Sequence, residues 1–264
     1  MRANSPYRGA FLLIIAAAAL LGIAAITGRG DITTATLVLA GAACFITGVF
    51  FLALHKGEPI DPNLVALLPA QGTIGIATLC ADLGVQGDGR FIPREDGTLI
   101  EVIPVADTLP ATTGDDYSYI TRDGACAVRI VPTCAPLLAH LREKHALEVP
   151  GEEEGLLACI TEVCDDLLEV AEKTEAVRDS ENIVVTLHGY RLIRGCRAVR
   201  AASPKCCTMV GCPICSLIAA ITALGTNAPT KIEHAAVDEK REILRVILRP
   251  DGPGPRGAGP GNSR

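Results

Sequence analysis

Two uncharged, apolar stretches open the chain, residues 9–28 and 32–54. At ~1.5 Å of rise per helical residue, each reaches across a hydrocarbon layer of roughly 30 Å. A backbone in lipid must satisfy its own hydrogen bonds, so both stretches are expected to be helices. Arg29-Gly30-Asp31 between them allows only a tight hairpin. Small residues, Ala16 to Ala19 and Gly22 on the first helix and Gly41, Ala42 and Ala43 on the second, would let the two backbones approach closely. Arg2 and Arg8 precede the first span and Lys56 follows the second, against Arg29 alone in the turn. That bias predicts a multi-pass protein of the cell membrane with both termini in the cytoplasm.

After the stiff linker Glu58-Pro59-Ile60-Asp61-Pro62 the apolar periods shorten. A helix is predicted over 73–83. Alternation then predicts a hairpin, with strands 90–94 and 98–102 joined by Glu95-Asp96-Gly97. Leu99, Glu101 and Ile103 fall on one face of it, Ile100 and Val102 on the other. Beyond a polar loop at 106–116, a second hairpin runs through 117–121, Arg122-Asp123-Gly124 and 125–131. Thr133 is placed to cap a helix ending near His145.

Leu156, Ile160, Val163, Leu167 and Val170 recur in steps of four and three, the stripe of one helix. Glu162, Asp165, Asp166, Glu169 and Glu172 are expected on its solvated side. A strand at 182–188 follows, then a cysteine-rich stretch and an apolar helix through Leu217 and Leu224 closed by Gly225. A last hairpin spans 230–236 and 242–249. His234 would share a strand face there with Ile232 and Ala236. The whole reads as an α+β fold: a membrane hairpin at 1–56, a hairpin-rich section at 57–150, a section holding the cysteine cluster at 151–249, and a disordered Gly/Pro tail at 250–264. No repeat period is visible in the sequence.

Composition narrows the function. With 24 Lys+Arg against 30 Asp+Glu and no basic block, nucleic acid is not an expected partner. There is no Trp, and Phe91 is the one Phe beyond the two spans, so base-stacking platforms are nearly absent. Phosphate-binding Gly-rich loops, His-Glu-x-x-His and Gly-x-Ser-x-Gly do not occur. The expected partners are the lipid bilayer and a protein or small ligand.

Eleven cysteines remain to be explained. Six are scattered and read as small apolar fillers. Cys196, Cys206, Cys207, Cys212 and Cys215 lie within 20 residues. Three readings apply to them. Cys206, Cys207, Cys212 and Cys215, with Cys196 or His234 as an extra ligand, offer donors for zinc or an iron–sulfur cluster. Cys212-Pro-Ile-Cys215 at a helix start resembles the glutaredoxin motif, which implies a first thiol of lowered pKa. The thiols can also be purely structural.

The phrases Asp-Gly-Ala-Cys-Ala-Val-Arg-Ile-Val-Pro-Thr-Cys-Ala-Pro-Leu-Leu and Val-Gly-Cys-Pro-Ile-Cys-Ser-Leu-Ile-Ala resemble an uncharacterised archaeal two-span membrane protein family. The C-terminal unit is similar to small-ligand domains of the vinyl-reductase type, which place a cysteine-bearing segment ahead of a closing hairpin. Neither resemblance implies a reaction. The expected function is a non-catalytic, membrane-anchored binding or interaction module, with a metal or thiol-redox protein as the alternative.

Overall fold

The computed structural model describes residues 6–27, 32–54, 61–106, 119–122 and 125–251. The expected turn at 29–31, most of the linker and of the polar loop, and the tail from 252 lie outside them. The chain divides into two compact units, Met1–Ile60 and Asp61–Arg264.

The first unit is a pair of helices, α1 (Pro6–Thr27) and α2 (Ile32–Leu54), packed along one another. Both are long and apolar enough to cross a membrane. Ala10, Ala17 and Ala24 are buried at steps of seven. Facing them, a side chain at Gly41 would strike Leu21, and one at Gly48 would crowd the Ala10 carbonyl. Close approach thus runs along a heptad seam, whereas a side chain at Gly22 would meet nothing.

The second unit is built on one antiparallel sheet. Its N-terminal strands are β1 (Arg90–Pro93), β2 (Leu99–Pro104), β3 (Tyr119–Arg122) and β4 (Ala125–Ile130). Its C-terminal strands are β5 (Lys173–Asp179), β6 (Asn182–His188), β7 (Thr230–Asp238) and β8 (Ile243–Pro250). The spatial order is β3-β4-β2-β1-β7-β8-β6-β5. Each half consists of two hairpins joined through their second strands, β2 to β4 and β6 to β8. The same strand order therefore occurs twice in succession, although no repeat shows in the sequence. Among the described residues, strand pairing joins the halves at Arg90↔Lys231 and Phe91↔Thr230. Arg90 pairs with Asp251 at this seam, and the Asp251 amide donates to the Pro229 carbonyl at 2.7 Å.

The helices are α3 (Pro62–Val65), α4 (Ala70–Asp82), α5 (Ala135–His145), α6 (Glu153–Glu162), α7 (Ile193–Ala202), α8 (Lys205–Met209) and α9 (Pro213–Thr226). α9 packs against β1, β7, β8, α5 and α6 and is buried from Ile214 to Ala223. The stretch Lys205–Thr226 is also apolar and long enough to cross a membrane by composition. It is broken at Gly211, whose φ of 73° is left-handed, and most of it is buried within the protein.

Several local expectations change. Thr133 does not cap α5, because its hydroxyl donates to the Gly211 carbonyl at 3.0 Å. The helix carrying the Leu156 stripe turns π-helical at Val163–Leu167. Asp165 is not on a solvated face: its carboxylate accepts from the Thr174 amide at 2.9 Å and hydroxyl at 2.5 Å, fixing the start of β5. Gly225 does not close α9. A side chain there would strike Leu156, and the left-handed cap is Asn227 at φ 48°. The pairing of β7 with β8 is irregular between Ile232 and His234. The slip turns Ala235 and Val237 toward the core and leaves His234 exposed.

One carboxyl interrupts the apolar interior. Glu101 on β2 lies opposite Phe91, one of the seam residues. It is fully buried, and neither of its oxygens has a hydrogen-bond partner. Burial pushes its pKa well above the carboxyl range, so it is a neutral acid. The folded chain therefore holds this proton more tightly than the unfolded chain. Its titration adds no pH dependence below the unfolded pKa near 4.5 and lowers stability progressively as pH rises above that value. In urea titrations of wild type and Glu101→Gln, the variant should gain stability over wild type as pH is raised from about 4 to about 8. A difference that stays constant over that range contradicts a neutral buried acid.

Candidate functional site

The site begins where α7 follows β6. Tyr190 is buried just before α7, and Cys196 lies on the helix's inner face. At Gly195 the helix comes so near the Ala66 carbonyl that a Cβ would stand 2.3 Å from it, which requires glycine. The chain then passes through α8 and turns at Gly211. Cys212 follows in the N-cap position of α9 with extended backbone, φ −71° and ψ 163°, and Pro213 fills the first turn. Cys215 lies one turn on, fully buried.

These folds bring three of the five clustered thiols together. Cys196 Sγ and Tyr190 Oη are in hydrogen-bond contact at 3.9 Å. Cys196 and Cys215 flank Cys212, and all three belong to the main core. Cys206 and Cys207 pack in a second core cluster with Cys80, Ile103 and Met209, from which Cys207 still feels the charge of Cys212. Among the described residues, no group of three or more His, Cys, Asp or Glu side chains is placed to hold a metal ion.

The electrostatics single out Cys212. The Cys196 thiol, then the Cys215 thiol, and after them the amides of Cys215 and Ile214 at the helix start favour its anion. Together they outweigh burial and draw its pKa well below the ordinary thiol value. The partners move the opposite way: contact with Cys212 is the first cause raising both Cys196 and Cys215. Within the trio the anion is thus favoured on Cys212, and the other two thiols hold their protons more tightly. Burial pushes Cys207, Cys134 and Cys164 up to about 12.

This thiol network forms one wall of an apolar cavity of about 320 Å³. Tyr190, Cys196 and Cys212 are on its buried side, with Val170, Leu192 and Ile214 beside them. The opposite wall is the start of the unit, from Val65 to Thr73, where Val65, Leu68 and Pro69 form an exposed mouth. The volume is at the lower end of the roughly 300–1,000 Å³ of small-molecule sites, and the mostly apolar lining with a few polar tips is their usual make-up. A larger cleft of about 700 Å³ at Arg178, Glu181, Arg249 and Asp251 is charged. Its charges are met locally, Arg249 by Glu181 at 3.0 Å and Arg178 by Glu153 at 3.9 Å. The thiol-walled cavity is therefore the better candidate.

Sequence reading finds Cys196, Cys212 and Cys215 but misses Tyr190 and the 65–73 wall, which no motif marks. Fold and site together define an α+β domain with a thiol-bordered apolar cavity, in a chain that also carries two membrane-length helices. The chain belongs to a family described as a domain of unknown function (DUF7982), whose match covers residues 2–249 and so takes in helices and cavity alike. No curated protein and no solved structure matches it.

Cys212 should react with iodoacetamide at a rate that levels off well below the pH at which an ordinary thiol titrates, read residue by residue by mass spectrometry. Cys196→Ala should shift that profile to higher pH. A Cys212 profile that follows an ordinary thiol in both proteins contradicts the shared-charge network.

Proposed function

We propose that this protein is a non-catalytic binding module anchored in the cell membrane, whose second unit takes a small apolar ligand in the thiol-walled cavity. The cavity carries the reading: a pocket with an exposed mouth, an apolar lining and a few converging polar groups is the usual form of a small-ligand site. Tyr190, Cys196 and Cys212 give it a polar end that orients a ligand. The balance of Arg2, Arg8 and Lys56 against Arg29 supports cytoplasmic termini, which puts the cavity on the cytoplasmic side. The archaeal two-span family that the sequence resembles fits this arrangement.

A second reading is favoured by the Cys196–Cys212–Cys215 network. A lowered-pKa thiol at a helix start with a second thiol one turn on is the arrangement of dithiol redox centres. On that reading Cys212 is the attacking thiol and Cys215 the resolving one.

The binding reading is tested with 1-aminoanthracene and full-length protein in phosphatidylcholine nanodiscs. Fluorescence above the empty-nanodisc baseline should saturate at one probe per chain. Leu192→Trp, which fills the cavity from a half-buried position, should abolish the saturable part with an unchanged far-UV spectrum. If binding is not saturable in wild type, or survives in the filled variant, the cavity is not a ligand site.

A further inference from the structure

The cavity mouth belongs to an unusual surface. Eight large apolar side chains are exposed among the described residues of the second unit, and six of them lie between Leu64 and Leu83. Leu64 is 56% exposed, Leu68 72% and Leu79 60%. Apolar side chains scattered singly need no explanation, but Leu64, Val65, Leu67 and Leu68 are all exposed within five residues, and such a concentration marks an interaction surface. The same segment has no charged residue between Asp61 and Asp82. Its other face is ordinary core: Ala70, Thr73, Ala77 and Cys80 are buried, and α4 packs against α7 and α8. A side chain at Gly72 or Gly75, on the outer side, would meet nothing within 4 Å.

Three observations identify what covers this surface. The segment follows the end of α2 by seven residues, Leu54 to Asp61, a step that spans at most about 25 Å even when fully extended. Wherever α2 leaves a bilayer, α3 and α4 are tethered close to it. A surface of leucines without charge fits the acyl boundary of a bilayer better than an aqueous protein partner. Finally, the cavity opens inside the patch, since Val65 and Leu68 are both exposed and part of its lining. An apolar molecule leaving the bilayer would pass from one apolar environment to another without crossing water.

We propose that α3 and α4 lie on the cytoplasmic surface of the bilayer and that a lipid acyl chain enters the cavity from it between Val65 and Leu68. This rests on the binding reading and names its ligand class. In that position the chain would lie along the apolar lining of Val170, Leu192 and Ile214, with the headgroup left outside at the mouth.

The test uses full-length protein in phosphatidylcholine nanodiscs doped with phosphatidylcholine bearing a diazirine near the end of one chain. After irradiation the labelled residues are mapped by mass spectrometry. The second unit should be labelled at two places, on the exposed leucines of Leu64–Leu83 and inside the cavity at Tyr190, Leu192 or Ile214. A double variant Leu67→Glu with Leu79→Glu alters exposed positions that do not line the cavity. It should lose cavity labelling at least tenfold and keep 1-aminoanthracene binding. Labels confined to α1 and α2 overturn the proposal, as do labels on the leucines without labels in the cavity. If 1-aminoanthracene still saturates in either of those cases, the binding reading stands and bilayer loading alone has failed. If the probe does not saturate, both have failed.

Discussion

The fold of the second unit is governed by the need to cover α9. Pro213–Thr226 is apolar on every side, and a helix of that kind must be enclosed. A bilayer does not enclose it: fourteen residues extend about 21 Å, short of the ~30 Å hydrocarbon layer. The protein does so instead. The sheet supplies β1, β7 and β8 around it, and α5 and α6 close the remaining sides. Because the helix is sunk in this way, its start is sunk too, which takes Cys212 and Cys215 out of water. Their sulfurs then interact first with each other, with Cys196 and with the helix-terminal amides. The chemistry of Cys212 and the cavity beside it both follow from the burial of one helix.

The same enclosure explains the seam. Two four-stranded halves of identical strand order are joined, among the described residues, by the strand pairing of β1 with β7, and α9 bridges them by packing on β1 from one half and on β7 and β8 from the other. Glu101 lies beside this junction. On one side are Phe91 and Cys134 of the main core, and on the other Ile103 and Met209 of the second. A side chain at Gly89 would stand 2.8 Å from Glu101 Oε1 and 2.3 Å from the Met209 carbonyl, so the space around the carboxyl is full. A neutral acid packed between two apolar clusters weakens the unit at the point where its halves join.

Much of this was legible in the sequence where a period or a turn residue was enough. Uncharged runs marked α1 and α2. The Glu95-Asp96-Gly97 turn marked the β1–β2 hairpin, where Gly97 takes φ 75° and Asp96 accepts from the Thr98 amide at 2.9 Å. Leu217 to Leu224 marked α9. Glu101 was placed on the strand face of Leu99 and Ile103, but nothing in the run Leu99-Ile100-Glu101-Val102-Ile103 marked its complete burial. What failed depended on tertiary contacts. β5 reads Lys-Thr-Glu-Ala-Val-Arg-Asp, an exposed edge strand with four charges and no apolar alternation. Its start is fixed by Asp165 eight residues earlier. α7 and α8 were hidden inside what looked like a cysteine cluster, and only the fold shows that α7 turns Cys196 toward Cys212 while α8 directs Cys206 and Cys207 into the second core. The cavity was invisible because its two walls are about 130 residues apart in the chain and neither carries a motif.

The most direct test is amide hydrogen exchange of the full-length protein in nanodiscs across a series of sub-denaturing urea concentrations. If α9 is the enclosed core helix of the sheet domain, its amides exchange only when the domain opens. They should then converge with those of β7 and β8 on one opening free energy and one urea dependence. If the α9 amides remain protected after β7 and β8 have exchanged, the helix is held by something other than the sheet, and this account of the domain is wrong.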